Sequence, residues 1–143
     1  MYLETVEHNP WIPRNKILPL KVTAKQLELL TAPEPEVLFG GAVGGGKTCA
    51  MLISALQYVH EPSYRALILR RNYQMLAKAE SILSLCKDWC LPGASFHANN
   101  RKFTFPSGST LEFGHCENEE DKRNYDGPSY QFIGFDELCH FTE

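Results

Sequence analysis

The sequence predicts an α/β fold: a mainly parallel sheet flanked by helices, with a β-hairpin set into it. Three observations predict it. A short apolar run at residues 37–39 leads through the glycine-rich stretch GGAVGGGKT at residues 40–48 into an apolar segment of helical length, KTCAMLISALQYVH. A second apolar run at residues 66–69 follows that helix, and strand, helix, strand in this order is a βαβ unit with a right-handed crossover. A third run, Phe132, Ile133 and Phe135, ends on Asp136 and Glu137. Strands buried in a parallel sheet read as continuous apolar runs of this kind.

The composition bounds the class. The 143 residues are 43% hydrophobic and 22% charged, enough for a core in one domain or a piece of one. A net charge of −3 excludes binding to nucleic acid by bulk charge, though not through a local basic groove. No window approaches the roughly 18 apolar residues of a membrane-spanning helix. The start, MYLETVEHNPWIPRNK, lacks an apolar signal core, which predicts an intracellular protein. The cysteines are Cys49, Cys86, Cys90, Cys116 and Cys139. An odd number, with one directly after the glycine stretch and no C-x-x-C pair, reads as reduced thiols packed as small apolar residues and not as a zinc site.

Taken in order, residues 1–20 carry Pro10, Pro13 and Pro19 and form an extended lead-in. Thr23 caps a short helix over residues 24–30. Gln26 lies on it, by position alone a surface glutamine, although its amide can both donate and accept hydrogen bonds. Residues 32–36, with Pro33 and Pro35, turn the chain into the first strand. The helix from Lys47 ends near His60, before Glu61, Pro62 and Ser63. The strand over residues 66–69 delivers Arg70 and Arg71 to the carboxyl rim of the sheet, where ligands of open α/β sheets bind. There the arginines either meet phosphate or a DNA backbone or form a solvated edge. Met75, Leu76, Ala79, Ile82, Leu83, Cys86 and Trp89 recur at helical spacing, so residues 73–90 read as one amphipathic helix with Trp89 in the core. Phe103 and Phe105, then Leu111 and Phe113, alternate with polar residues around Pro106, Ser107 and Gly108, which reads as a β-hairpin. Residues 116–128 are highly charged and predict a short helix or loop.

Two stretches carry chemistry. Gly41, Ala42, Val43, Gly44, Gly45, Gly46, Lys47 and Thr48 fit G-x-x-x-x-G-K-[ST]. Glycines bring backbone N–H groups against phosphate without a Cβ in the way. Lys47 reaches the β- and γ-phosphates, and the Thr48 hydroxyl ligates Mg²⁺. The following helix aims its positive end at the same place. The run ending in Asp136 and Glu137 is a Walker B pattern: Asp136 orients Mg²⁺ through water, and Glu137 polarises the water that attacks the γ-phosphorus. An apolar run before an acid pair is weak by itself, but with the loop upstream it predicts a P-loop NTPase of the ASCE division, RecA- or helicase-like in architecture.

With both motifs placed, the chain resembles the N-terminal ATPase region of tailed-bacteriophage terminase large subunits, the DNA-packaging motors. The Gln26 helix, VLFGGAVGGGKT, ALILRRNY, the hairpin with SGSTLEFG, and DKRNYDGPSYQFIGFDEL carry the resemblance, which covers nearly all of residues 20–143. It implies that ATP and Mg²⁺ are the cofactors. It implies further that Gln26 contacts adenine, residues 41–48 hold the phosphates, Asp136 serves the metal and Glu137 is the catalytic base. Arg123 is a candidate arginine finger toward a neighbouring subunit's ATP, with a plain surface charge as the alternative. Implied partners are double-stranded DNA, the small terminase subunit, the portal-bearing procapsid and further copies of the chain, in the cytoplasm of an infected bacterium and with no membrane. Terminases continue into a coupling motif and an RNase-H-like nuclease, whereas this sequence ends six residues after Glu137. The expectation is therefore a partial P-loop ATPase domain over residues 21–143, without the nuclease, hydrolysing ATP weakly by itself. Three other readings compete. A helicase or repair ATPase would prefer single strands. A small-molecule kinase would need an arginine-rich lid, which the sequence does not show. A truncated remnant or assembly piece would bind ATP without turnover.

Overall fold

A computed structural model describes residues 23–41, 46–78, 81–89 and 93–141. The expected lead-in lies outside these residues, as do Ala42, Val43, Gly44, Gly45 and Cys90. The helices are α1 (Ala24–Thr31), α2 (Lys47–Leu56), α3 (Tyr73–Ala77), α4 (Ile82–Asp88) and α5 (Glu119–Lys122). The strands are β1 (Arg65–Arg70), β2 (Ser95–His97), β3 (Lys102–Thr104), β4 (Thr110–His115) and β5 (Phe132–Phe135). Short 3-10 turns follow α5 at Arg123–Tyr125 and β5 at Leu138–Phe141.

The five strands form one mixed sheet in the order β2-β3-β4-β1-β5. β1 pairs in parallel with β4, Arg65 opposite Thr110 through Arg70 opposite His115, and with β5, Ala66 opposite Phe132 through Leu69 opposite Phe135. β3 runs antiparallel to β4, and β2 antiparallel to β3. The predicted hairpin is therefore present as β3–β4, but it is not an insert. Its second strand lies against β1 in the middle of the sheet, and its first carries β2 on the outside. Leu111 and Phe113 account for this, since both are fully buried.

Side chains alternate across a strand, so strand parity sorts the two faces. Ala66 and Ile68 share a face with Leu111, Phe113, Phe132 and Gly134. That face takes the helices: Leu52, Ile53, Ala55 and Leu56 of α2 and Ile82 and Cys86 of α4 are all within 3% of complete burial in the same cluster. Trp89 is in the core, as expected.

Two predicted elements differ. Residues 73–90 do not form one helix. Lys78 is extended, and the Ser81 hydroxyl accepts the Ser84 N–H at 3.1 Å, so a local cap starts a second helix in place of a continued first one. The apolar periodicity survives the break, because Leu76, Ile82, Leu83, Cys86 and Trp89 are all buried. Residues 37–39 do not form a strand. Val37 is 47% and Leu38 80% exposed, and β5 is the last strand on the parallel side among the described residues. An apolar run becomes a strand only where a ladder partner takes its backbone groups. No helix among the described residues is long and apolar enough to cross a membrane.

Candidate functional site

The parallel strands β1, β4 and β5 end together, at Arg70, His115 and Phe135, with Asp136 directly beyond. Helix α2 lies directly on β5. A Cβ on Gly134 would stand 3.0 Å from Met51 Sδ and 3.2 Å from its Cγ, so the helix packs tightly on the strand here and a larger residue would make the Met51 side chain shift. Thr48 sits about one helical turn before Met51. Asp136 sits two residues after Gly134, so both belong to the carboxyl end of the sheet.

Asp136 is 6% exposed. Its N–H donates to the Leu69 carbonyl at 2.9 Å, one step beyond the β1–β5 ladder. Its carboxylate meets Arg70: Nε lies 2.7 Å and Nη2 2.6 Å from Oδ2. Parity explains the encounter, since Arg70 follows Ala66 and Ile68, and Asp136 follows Phe132 and Gly134, onto the face that α2 covers. The rim expectation for Arg70 is thereby corrected. Its guanidinium is buried and engaged by Asp136, neither a solvated edge nor a group presented to DNA. Arg71 is half-exposed.

Glu137, the next residue, is exposed and has φ +60°, the left-handed region that non-glycine residues rarely enter. The backbone turns sharply here, from the strand into the 3-10 turn Leu138–Phe141.

On the loop side, Gly46 is the N-cap of α2, with φ +75° and no capping side chain. The N–H groups of α2's first turn have no intrahelical acceptor. Lys47 Nζ donates to the Gly41 carbonyl at 2.7 Å. Gln26 is 7% exposed and not the surface glutamine its position suggests. Its Nε2 donates to the Gly46 carbonyl at 3.0 Å, and its Oε1 accepts the Thr23 N–H at 3.0 Å in a capping box. Gln26 thus straps α1 to the end of the loop. Thr48 is half-buried in the first turn of α2.

Arg123 is exposed, at the start of the 3-10 turn after α5. Of the short helix or loop expected for the charged segment, residues 119–122 form the helix, with Asn118 as N-cap and Asp121 completing a capping box. The last residue of the 3-10 turn, Tyr125, donates its hydroxyl to the His115 carbonyl at 2.9 Å. The packing role predicted for the cysteines holds for Cys86, whose thiol burial pushes far up in pKa, and fails for exposed Cys139. Among the described residues no group of three or more His, Cys, Asp or Glu could hold a metal.

Sequence reading missed Arg70 as the partner of Asp136. The signal was present in the parity of the two apolar runs, once β1 and β5 are taken as neighbours. It also missed His115, whose Nδ1 is buried without a partner beside the edge of the Tyr73 ring, 6.1 Å between centroids.

The family described as terminase large subunit, T4likevirus-type, N-terminal, matches residues 38–143. Comparisons with curated proteins and with solved structures yield no match.

Proposed function

Because the chain belongs to the T4likevirus-type terminase large-subunit N-terminal family, matched over residues 38–143, we propose that it is the ATP-binding and ATP-hydrolysing part of a motor that packages double-stranded DNA. In this reading the domain is a P-loop NTPase. The observation that carries it is the packing of α2 on β5, Met51 against Gly134, and from it we infer that the Gly46–Lys47–Thr48 start of α2 and the Asp136–Glu137 end of β5 serve one site.

The residues at the rim divide the work. N–H groups of the loop and of the first turn of α2 receive phosphate oxygens. Lys47 leaves the Gly41 carbonyl for the β- and γ-phosphates, exchanging a neutral acceptor for a charged one. Thr48 and Asp136 supply two oxygen donors, few enough to suit Mg²⁺, which keeps most of its shell for water and phosphate. When bound, Mg²⁺ neutralises charge on the β- and γ-phosphate oxygens. Glu137 orients and deprotonates the attacking water from its left-handed perch beside Asp136. Gln26 keeps one amide hydrogen and one lone pair beyond its two internal bonds, and these would be the groups left to bind adenine. Arg123, exposed at the start of the 3-10 turn after α5, is the candidate to complete a neighbouring copy's site. Small terminase subunit and procapsid are the further partners this reading implies.

The test is fluorescent-ATP binding and phosphate release by the full chain, with double- and single-stranded DNA. Binding lost in Lys47→Ala, and release stimulated by duplex DNA and lost in Glu137→Gln, is the expected result. Wild-type chain that binds no ATP would sink the reading. Stimulation by single strands alone would move the protein to the helicase class.

A further inference from the structure

We propose that Arg70 is a positioning residue for Asp136, taking one carboxylate oxygen so that the other is presented to a divalent cation or its bound water. The proposal rests on the ATPase reading above and adds a residue to it.

The geometry fixes Asp136 from two directions. The backbone is held by the bond from its N–H to Leu69 O at 2.9 Å. The side chain is held by two guanidinium nitrogens, Nε at 2.7 Å and Nη2 at 2.6 Å, both on Oδ2. An arginine–carboxylate fork normally spreads its two bonds over both oxygens. Here the pair converges on Oδ2 and leaves Oδ1 outside it. With side chains only 11% and 8% exposed, the pair has little solvent to exchange with, so the carboxylate is held in one orientation.

A purely stabilising role accounts poorly for this arrangement. A buried ion pair sacrifices hydration on both partners and gives little net stability over an apolar pair. An orienting role accounts for it well. Partners one shell out from a metal fix the direction of the ligand, and their loss weakens metal binding. A cation beside the site also repels Mg²⁺, so the guanidinium acts in two opposed ways. Its geometry favours the metal and its charge disfavours it. Lysine separates them, because it keeps the charge and loses the planar fork.

The experiment is a MgCl₂ titration of fluorescent-ATP binding to the full chain, with binding in EDTA and thermal midpoints recorded for each variant. Arg70→Lys is expected to raise the half-saturating Mg²⁺ concentration about 10-fold while binding in EDTA stays at the wild-type level. Arg70→Met, where it folds, is expected to raise it at least as far. A folded Arg70→Lys with wild-type Mg²⁺ dependence overturns the proposal, as does a lower Mg²⁺ requirement in Arg70→Met, since then charge and not geometry is what Arg70 contributes. Wild-type binding indifferent to Mg²⁺ removes the ATPase reading and this proposal together. Wild-type dependence matched by Arg70→Lys removes this proposal alone.

Discussion

Gln26 donates its Nε2 hydrogen to the Gly46 carbonyl at 3.0 Å while its Oε1 closes a capping box with the Thr23 N–H, so one buried amide fastens two helices' starts to each other. The fit is close, because a Cβ on Gly46 would lie 2.5 Å from that same nitrogen. Gln26→Ala removes the strap and the reciprocal cap bond and leaves the Gly46 carbonyl with the Ala50 N–H as its remaining donor. The expected loss is about 1–3 kcal/mol in a urea titration. Gly46→Ala meets both the collision and a left-handed φ, and should lose at least as much. Unchanged urea midpoints in both variants would show that α1 does not brace the loop.

Glu137 carries the second prediction. Its φ of +60° is strained for a side-chain-bearing residue, and glycine relieves that strain. Glu137→Gly is expected to gain up to about 1 kcal/mol of stability while losing turnover. Glu137→Gln keeps the strain and also loses turnover. A protein that tolerates strain at this position for its carboxylate gives this opposite pairing of stability and activity. Destabilisation in Glu137→Gly would mean that the carboxylate's own contacts outweigh the backbone cost.

How far the sequence disclosed these features depends on the range of the interaction. Local signals carried through: Thr23 caps α1, Phe103 and Leu111 face each other across the hairpin, and the run ending in Phe135 delivers Asp136 to the rim. Pairing between distant segments did not. Nothing in LEFG says that β4 will lie along β1, and nothing near Val37 says that its run lacks a neighbour. The break between α3 and α4 was hidden because Ser81 is a mild helix residue until its hydroxyl caps, and the apolar spacing continues across it. Arg70 was readable as a rim residue, but its partner lies 66 residues away.

Alkaline titration gives the third prediction. Burial, and after it the charge of Glu112, pushes the Tyr125 phenol up from 10.0 to about 12. Burial, with the bond to Glu112 next, does the same for Tyr130. Between these values the unfolded chain releases phenolic protons that the folded chain keeps. Stability is therefore full below about pH 10 and declines as pH rises through about 12. Tyr125→Phe should make that decline shallower. At neutral pH it should cost about 1 kcal/mol, for the bond to the His115 carbonyl. Urea midpoints taken from neutral pH upward check both effects. An equal decline in wild type and Tyr125→Phe would assign it elsewhere.

The outer side of β5 carries the last prediction. On the face away from α2, Ile133 is 50% and Phe135 45% exposed, and Leu138 just beyond is 44% exposed. Val37 and Leu38 are exposed as well. β5 ends the sheet among the described residues, so apolar side chains and strand-edge backbone groups are presented together. Such an edge recruits other chains. The chain is expected to associate increasingly with concentration in analytical ultracentrifugation, and a charge on the edge should oppose this. Ile133 is the position to change, because the Phe135 ring packs edge-on against Phe141, 5.4 Å between centroids. Ile133→Lys should lower association while moving stability by no more than about 0.5 kcal/mol, since the side chain is half in solvent already. A wild-type chain that stays monomeric at every concentration, or an Ile133→Lys variant that associates as wild type does, would mean that this edge is covered or inert in solution.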